Sequence, residues 1–230
     1  MANKVTDKKG STAEKEVGEI VSRSERFIEN NKKNLSYGII GIALIIGAIL
    51  SYNYLYLAPK SEKANIALFK GEFYFQRDSF NVALNGNGFD YDGFEYIIKQ
   101  YSGTKAANLA KAYAGICYFK LGDIDNATKQ LKSFSTNENY LEPTITGLIG
   151  DCYIESGNIK EGISYFEKAA SQADNDLISP IFLKKAGLAY ENLRQFDKAI
   201  KAYSTIKEKH ASSMEAMDID KYITRAQLAK

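Results

Sequence analysis

The chain has 230 residues, of which 45% are hydrophobic, and a formal net charge of +2. Residues 1–33 account for this charge, because residues 59–230 carry 22 basic and 22 acidic side chains. Phosphate recognition needs a basic surface, so this neutrality argues against nucleic acid as the main partner. The roughly 170 residues after position 58 are enough to bury a hydrophobic core.

The first 34 residues are polar and contain few aromatic side chains. A segment of this composition cannot bury enough apolar surface to form a packed core. We therefore predict a polar, cytoplasmic tail over residues 1–34. It is either disordered or forms a frayed amphipathic helix around residues 17–28.

An uncharged segment follows between Lys33 and Lys60, and it contains ten Ile or Leu residues from Ile39 to Leu57. A helix needs about 20 mostly apolar residues to span a bilayer, and tyrosines at both ends of the segment suit the headgroup zones. A cleaved signal peptide fits less well, because 33 residues of mixed charge precede the segment and no A-x-A site follows it. A buried core helix does not need so long an apolar run. We predict a transmembrane helix over residues 35–58.

The flanks of this helix set its predicted orientation. Within about 15 residues of the helix, four basic residues lie on the N-terminal side and three on the other, and this small excess favours an N-terminus in the cytoplasm. Ala43, Gly47 and Ser51 recur at every fourth position and would form a smooth face on which another membrane helix can pack. Small residues are also common in such helices without this function.

Three similar stretches follow one another after residue 105, first 35 and then 37 residues apart. Each stretch combines apolar residues at helical spacing with a central turn, so we predict one helix–turn–helix unit per stretch. The small residues would let the paired helices approach closely while large residues fill the remaining space. The shared columns are Gly115, Gly150 and Gly187; Tyr118, Tyr153 and Tyr190; Ile124, Ile159 and Phe196; Ala127, Gly162 and Ala199; and Leu131, Phe166 and Tyr203.

This pattern resembles the tetratricopeptide repeat, a helix–turn–helix motif of 34 residues with small residues and a tyrosine in these columns. The resemblance covers about residues 105–212. The chain departs from the family pattern at Arg194 in a turn, at Ile206 in an alanine position and in lacking the closing prolines. The resemblance implies an all-α fold, in which a single transmembrane helix precedes a solenoid with three repeats over residues 106–212 and a C-terminal capping helix.

Weaker similarity extends to both sides of the three repeats. Residues 59–105 predict an atypical first repeat, with its first helix over 61–84 and the sequence NGNGFDYDGFEYII in its turn and second helix. Residues 213–230 predict the capping helix, because a stack of helix pairs needs a polar outer face at its end. In the third repeat, Ser179 is the predicted N-cap and Pro180 the predicted first residue of the helix.

Metal and disulfide chemistry have little support in the sequence. An EF-hand loop placed on NGNGFDYDG would begin at Gly88 and end at Lys99, where oxygen ligands are required. Cys117 and Cys152 occupy the same small, buried column in neighbouring repeats. Equivalent positions of neighbouring repeats lie about one helix spacing apart, and this distance is longer than a disulfide can bridge. His210 is the only histidine and is predicted in a surface loop, so we expect no zinc site. We predict no metal and no cofactor.

The sequence also lacks the spacings of catalytic motifs. It contains no nucleophile–base pattern and no nucleotide-binding fingerprint, so we predict that the protein is not an enzyme. Asp151 and Glu155 lie four residues apart on one helix face. Paired carboxylates can catalyse proton transfer, but a charged wall of a binding groove is the simpler interpretation.

In the tetratricopeptide family the first helices line a concave groove, and the resemblance implies this function for twelve positions. They are Ala112, Ile116, Phe119, Lys120, Gly147, Asp151, Ile154, Glu155, Lys184, Leu188, Glu191 and Asn192. The groove would be apolar at its start, acidic in the middle and of mixed charge at its end. Ala112 and Gly147 stand where a carboxylate clamp needs lysine. The expected ligand is therefore an extended or helical protein segment rather than a chaperone tail.

The whole layout resembles the YfgM-like family, as does the segment YSGTKAANLAKAYAGICYFKLGD. Members are bacterial inner-membrane proteins with a periplasmic tetratricopeptide domain. They act as ancillary subunits of the Sec translocon together with a membrane-anchored periplasmic chaperone of the prolyl-isomerase type. The resemblance implies the same membrane, the same topology and these two partners. The alternative is a scaffold of another envelope machine, for outer-membrane assembly, secretion or motility.

Overall fold

The computed structural model describes residues 8–230, with side chains from residue 25 onward, and this part of the chain is helical without a β-strand. Residues 1–7 of the predicted tail lie outside the described residues. The chain divides into two compact units, Met1–Pro59 and Lys60–Lys230.

The first unit is helical throughout its described part. Helix α1 runs over Lys8–Ser51, so the helical alternative for the tail applies from residue 8 onward. A π-helix follows over Tyr52–Leu57, and the N–H of Ala58 donates to the carbonyl of Asn53. Pro59 lacks an N–H and its ring crowds the carbonyl four residues earlier, so the wider turn lies where regular α-helical bonding is interrupted.

One helical stretch among the described residues is long and apolar enough to cross a membrane, with a mean hydropathy of 2.0. None of its most apolar window is buried, and Ile39 and Leu44 are 64% and 70% exposed. The exposed Ile and Leu side chains form a contiguous apolar surface along the helix, which is unusual for a protein surface in contact with water. The stretch therefore has the properties of a membrane span or of a signal sequence.

The predicted helix over residues 61–84 is wrong, because the structure has two helices there. Helix α2 runs over Ala58–Phe75 and helix α3 over Phe80–Asn85. Between them Asp78 adopts a left-handed conformation with φ 55°. The turn brings the rings of Phe75 and Phe80 to 5.7 Å, edge to face, and both pack against the core. Tertiary packing of these two rings explains the break.

The glycine-rich sequence forms the turn before helix α4, which runs over Phe94–Gln100. The side chain of Asn87 stabilises this turn. Its Oδ1 accepts hydrogen bonds from the backbone N–H groups of Phe89, Asp90 and Tyr91 at 3.0–3.1 Å. The Nδ2 of Asn87 donates to the hydroxyl of Tyr74 on α2 at 2.9 Å. One asparagine side chain thus fixes the turn that the repeat spacing predicts.

Three helix pairs follow, in the order that the repeats predict. Short turns join the two helices within each pair, and the pairs pack in sequence. The helices are α5 (Lys105–Lys120), α6 (Ile124–Ser133), α7 (Leu141–Glu155), α8 (Ile159–Ala173), α9 (Ser179–Asn192) and α10 (Phe196–Lys209).

The glycine column marks the closest approach of the two helices in every pair. A Cβ atom there would lie 2.3–2.7 Å from a large side chain of the second helix, closer than real Cβ atoms approach. The small residue is therefore required by the helix spacing, as predicted. The contacts are Gly115 with Leu131, Gly150 with Phe166 and Gly187 with Tyr203.

The turn inside each pair has the same hydrogen bonds. The first helix ends in a left-handed residue, and the N–H after that residue donates to the carbonyl of the tyrosine column at 2.8–2.9 Å. This is the Schellman arrangement, which glycine adopts without strain. Arg194 keeps the same geometry at φ 55° at a cost of about 1 kcal/mol. The left-handed residues are Gly122, Gly157 and Arg194.

The C-terminal segment is less regular than predicted. A single helix to the end was expected, but a 3₁₀-helix over Glu215–Asp218 precedes helix α11 over Ile219–Leu228. In α11, Ile219 and Ala226 are buried against Tyr203 and other residues of α10. The segment covers the last helix pair, which supports the predicted capping function.

Two polar residues are buried where the sequence predicts exposure or capping. His210 is 8% exposed, and its Nδ1 lies 2.7 Å from Asp176 Oδ1, so its predicted place in a surface loop is wrong. Ser179 is the first residue of α9 rather than its N-cap, so Pro180 is the second residue of the helix and not the first as predicted. The Oγ of Ser179 donates to the carbonyl of Ala170 at 2.7 Å and accepts from the N–H of Asn175 at 3.1 Å. The contact of His210 with Asp176 and the bonds of Ser179 to Ala170 and Asn175 all lie at the loop between α8 and α9.

Both cysteines are buried, as predicted, and both are free thiols. Burial raises the pKa of Cys117 to about 12 and also raises the pKa of Cys152. Neither thiol is therefore a reactive group at neutral pH.

We predict that Gly187→Ala destabilises the repeat domain by about 2 kcal/mol, because the added methyl group overlaps the Tyr203 ring. Tyr203 is fully buried and cannot move outward. Thermal unfolding followed by circular dichroism measures the effect. Gly47→Ala is the matched control, because nothing lies within 4 Å of its Cβ position. Equal effects of the two substitutions would contradict the tight contact.

Candidate partner-binding groove

The twelve predicted groove positions lie on the first helices α5, α7 and α9, but two of them are not accessible. Ala112 is 4% exposed and packs with Ile145 and Ile149 of the next repeat. A Cβ atom on Gly147 would lie 1.9 Å from the ring of Phe182. Both predictions are therefore wrong as ligand contacts, because these residues form the packing between neighbouring repeats.

The end of α5 offers a partly accessible apolar surface. Ile116 and Phe119 pack against the cluster between the first two repeats and stay half-buried. Lys120 follows them and is exposed. The end of α5 thus presents two apolar side chains and one charged side chain.

Two predicted positions of α9 hold the C-terminal segment instead of facing an open groove. Lys184 Nζ lies 2.9 Å from Asp218 Oδ1. Glu191 accepts two hydrogen bonds from the Arg225 guanidinium, at 2.8 and 3.0 Å, and one from the Tyr203 hydroxyl at 2.6 Å. Burial opposes ionisation of Glu191, but the bonds from Arg225 and Tyr203 outweigh it and lower its pKa.

A pocket of about 240 Å³ lies between α7, α8 and α9, among the predicted groove positions. Its walls are apolar, and its polar groups are one ion pair and one amide. The structure brings four predicted residues together here. The lining residues are Asp151, Ile154, Ile159, Phe166, Lys185, Leu188, Ala189 and Asn192.

The ion pair joins Asp151 of α7 to Lys185 of α9. Both carboxylate oxygens lie within hydrogen-bonding distance of Nζ, at 2.6 and 2.8 Å. Burial nevertheless raises the pKa of Asp151, and the lysine opposes this rise while nearby Glu155 adds to it. The carboxylate is thus already bound by an ammonium group, which argues against a catalytic pair of Asp151 and Glu155.

Sequence reasoning missed Phe166 and Lys185 as groove residues. Phe166 belongs to a column assigned to helix pairing, and only the structure shows that its ring also reaches the pocket. Lys185 is next to Lys184, which was predicted instead. Opposite charges on adjacent first helices were the available signal for the Asp151–Lys185 pair. Among the described residues, no group of three or more His, Cys, Asp or Glu side chains is arranged to hold a metal ion.

We predict that Lys185→Met destabilises the protein by about 1 kcal/mol at pH 7 and much less near pH 3. Removing the lysine raises the already raised pKa of Asp151 further. A carboxyl group whose pKa is higher in the folded than in the unfolded state stabilises the folded state only while it is protonated. The stability lost in Lys185→Met therefore appears as the pH rises through the folded-state pKa of Asp151. Chemical unfolding at several pH values measures it. The double variant Asp151→Asn/Lys185→Met should lack this pH dependence, and its persistence there would contradict the assignment.

Comparisons with known proteins agree with this fold. Tetratricopeptide repeat family models match residues 147–176 and 185–224. Two solved structures of the nearly identical TPR-like repeats of a Podosopora anserina putative kinesin light chain are similar, each with a TM-score of 0.54 and 12% identity. Each match covers 74% of this chain and 87% of the other chain. No curated protein matches the chain.

The first family match lies on α7 and α8, and the second begins within α9 and ends within α11. At 12% identity the structural likeness shows the fold alone. The chain therefore carries tetratricopeptide repeats within an all-helical fold, and such repeats indicate a protein–protein interaction adaptor.

Proposed function

We propose that the protein is a non-enzymatic, membrane-anchored adaptor whose groove binds a segment of another protein. This proposal rests mainly on the pocket between α7, α8 and α9, which combines apolar walls with a few polar groups. Pockets with apolar walls and a few placed polar groups are typical binding sites. Leu188 is 41% exposed at this pocket and is available to a ligand.

The ligand would be an extended or helical protein segment with one large apolar side chain. Such a side chain fits a volume of about 240 Å³ and contacts Ile154 and Leu188. The Asp151–Lys185 pair and Asn192 would hydrogen-bond the polar atoms beside it. Ile116, Phe119, Lys120 and Glu155 would extend the contact along the groove.

Membrane anchoring explains the uncovered apolar helix of the first unit. Residues 35–58 would span the bilayer, with the N-terminus in the cytoplasm and the repeat domain in the periplasm. The exposed Ile and Leu side chains would then contact lipid, which removes their unfavourable contact with water. The anchor would hold the groove next to the membrane.

The proposed location is the bacterial inner membrane, and the proposed partners are the Sec translocon and a periplasmic chaperone. The support is the layout of tail, span and repeat domain, which resembles the YfgM-like family. A scaffold of another envelope machine has the same layout. Crosslinking of the membrane-embedded protein, followed by identification of the attached proteins, decides between the two, because different subunits would be found.

We predict that Leu188→Asp lowers partner capture about tenfold, because a charge replaces an apolar contact in the pocket. Leu177→Asp is the matched control, since Leu177 is 67% exposed but lies in the loop between α8 and α9. Quantitative mass spectrometry of crosslinked partners measures capture. An equal yield from both variants would place the binding site elsewhere.

We predict that Gly47→Leu weakens association with a membrane partner while leaving the folded chain intact. Nothing lies within 4 Å of the Cβ position of Gly47, so the larger side chain is tolerated within this chain. It would obstruct a helix that packs on Ala43, Gly47 and Ser51. Co-purification in mild detergent measures the association. If Sec subunits co-purify equally with both proteins, this face is not the contact.

The topology has its own test in a reporter fused to the C-terminus and active only outside the cytoplasm. We expect an active reporter on a protein that stays in the membrane after alkaline extraction. A reporter that stays inactive would rule out the periplasmic location. An active reporter on a protein that is released would identify a cleaved signal sequence.

A further inference from the structure

The dipeptide Asn-Gly occurs twice in the chain, at Asn85–Gly86 and at Asn87–Gly88. In this dipeptide the backbone nitrogen of glycine can attack the side-chain amide of asparagine, because glycine has no Cβ atom to obstruct the approach. Ring closure expels ammonia and forms a succinimide, and water then opens the ring to aspartate or isoaspartate. The hydrogen bonds of the turn before α4 treat the two sites differently.

The hydrogen bonds around Asn85 protect it from this reaction. The N–H of Gly86 donates to the carbonyl of Val82 at 2.8 Å and closes the last turn of α3. The Nδ2 of Asn85 donates to Asn81 Oδ1 at 2.7 Å. Attack by the nitrogen of Gly86 therefore requires both of these bonds to break first.

The nitrogen of Gly88 is not restrained in this way. Within the described residues its N–H donates no hydrogen bond, and the residue is exposed to solvent. Gly88 has a left-handed φ of 72°, and nothing lies within 4 Å of its Cβ position. The attacking nitrogen at Asn87–Gly88 is therefore accessible to a base in the solvent.

The side-chain carbonyl of Asn87 is polarised by the turn. Its Oδ1 accepts from the backbone N–H groups of Phe89, Asp90 and Tyr91 at 3.0–3.1 Å. Attack on Cγ places negative charge on this oxygen, and N–H groups that already point at a developing oxyanion stabilise it. The turn thus provides an oxyanion hole for ring closure.

The leaving nitrogen of Asn87 has a proton donor beside it. Its Nδ2 lies 2.9 Å from the hydroxyl oxygen of Tyr74 and 2.7 Å from Asp90 Oδ1. In the amide, Nδ2 donates to both oxygens. In the tetrahedral intermediate the same nitrogen is a basic amine, so the Tyr74 hydroxyl can act as a general acid and protonate it.

We propose that the turn before α4 promotes deamidation of Asn87 in the folded protein and protects Asn85. The nitrogen of Gly88 loses its proton to the solvent and bonds to Cγ of Asn87. The bond from Cγ to Nδ2 then breaks, and protonated Nδ2 leaves as ammonia. Water opens the succinimide, so the net change replaces an amide by a carboxylate. The reaction requires neither the membrane anchor nor the partner-binding groove.

The product carries a new negative charge beside Asp90. Hydrogen bonds from Asn87 and Lys70 lower the pKa of Asp90, so this residue is a carboxylate at neutral pH. Deamidation replaces the hydrogen bond from Nδ2 by repulsion between two carboxylates. It also removes the bond to Tyr74 of α2, and isoaspartate adds a methylene group to the backbone. The attachment of the turn to α2 is therefore weakened.

Tandem mass spectrometry of the full-length protein, incubated in detergent at mildly alkaline pH, measures deamidation at each asparagine. In the folded protein we expect Asn87 to react at least about tenfold faster than Asn85. The same protein in urea is the matched control, because unfolding removes the hydrogen bonds at both sites. There the two sites should react at similar rates. If Asn87 reacts more slowly in the folded protein than in urea, the fold protects it and the proposal is overturned.

The nature of the product tests the cyclic route. Succinimide opening gives isoaspartate as well as aspartate, whereas direct hydrolysis of the amide gives aspartate alone. We expect isoaspartate at Asn87, and Gly88→Ala should reduce it because the added Cβ obstructs ring closure. Aspartate as the sole product would overturn attack by Gly88.

Tyr74→Phe tests the proton donor. Phenylalanine keeps the ring that stacks on Tyr91 at 5.5 Å between centroids and removes only the hydroxyl. We expect deamidation of Asn87 to slow about tenfold, with the rate at Asn85 unchanged and the circular dichroism spectrum preserved. An unchanged or faster reaction at Asn87 in the folded variant would overturn the assignment of Tyr74.

Discussion

The repeat domain depends on one contact that occurs three times, the close approach of paired helices at a glycine. Gly115, Gly150 and Gly187 leave no room for a Cβ atom, because a large side chain of the second helix occupies that space. The backbone carbonyl of the tyrosine three residues later accepts the hydrogen bond that closes the turn in every pair. Spacing and turn together fix the angle of each pair, and the stacking of pairs follows from it.

The stack then decides which first-helix positions remain available. Ala112 and Gly147 are needed for contact between neighbouring repeats. Glu191 is needed to bind Arg225 of α11. What remains is a short surface from Ile116 to Asn192, centred on the pocket beside the Asp151–Lys185 pair. The candidate groove is thus shorter than the three first helices, because some of its predicted side chains pack against the next repeat or bind the C-terminal segment.

Two apolar surfaces are not used by the fold, and they differ in kind. The apolar helix of the first unit is apolar around its circumference, which suits contact with lipid on all sides. The outer face of α2 instead carries a single exposed apolar row, formed by Ile66, Phe69 and Phe73. The first of these surfaces has the properties of a membrane span or of a signal sequence.

Periodic features were predictable from the sequence. The apolar segment, the helix pairs, the glycine contacts and the all-helical class follow from spacings that recur along the chain, because each depends on residues near one another in sequence. The break at Asp78 was not predictable, since it serves the contact between Phe75 and Phe80. The burial of His210 was not predictable either, because its partner Asp176 lies 34 residues earlier in the chain.

The sequence by itself determined the three helix pairs and which of their faces pack, because both follow from the periodicity of small and apolar residues. Only the tertiary structure decided which remaining faces stay open. Periodicity identifies the apolar face of a helix but not the segment that packs on it. That packing depends on residues about one repeat away in the sequence. The structure shows that Lys185 and Phe166 line the pocket. It also shows that Lys184 and Glu191 bind the C-terminal segment.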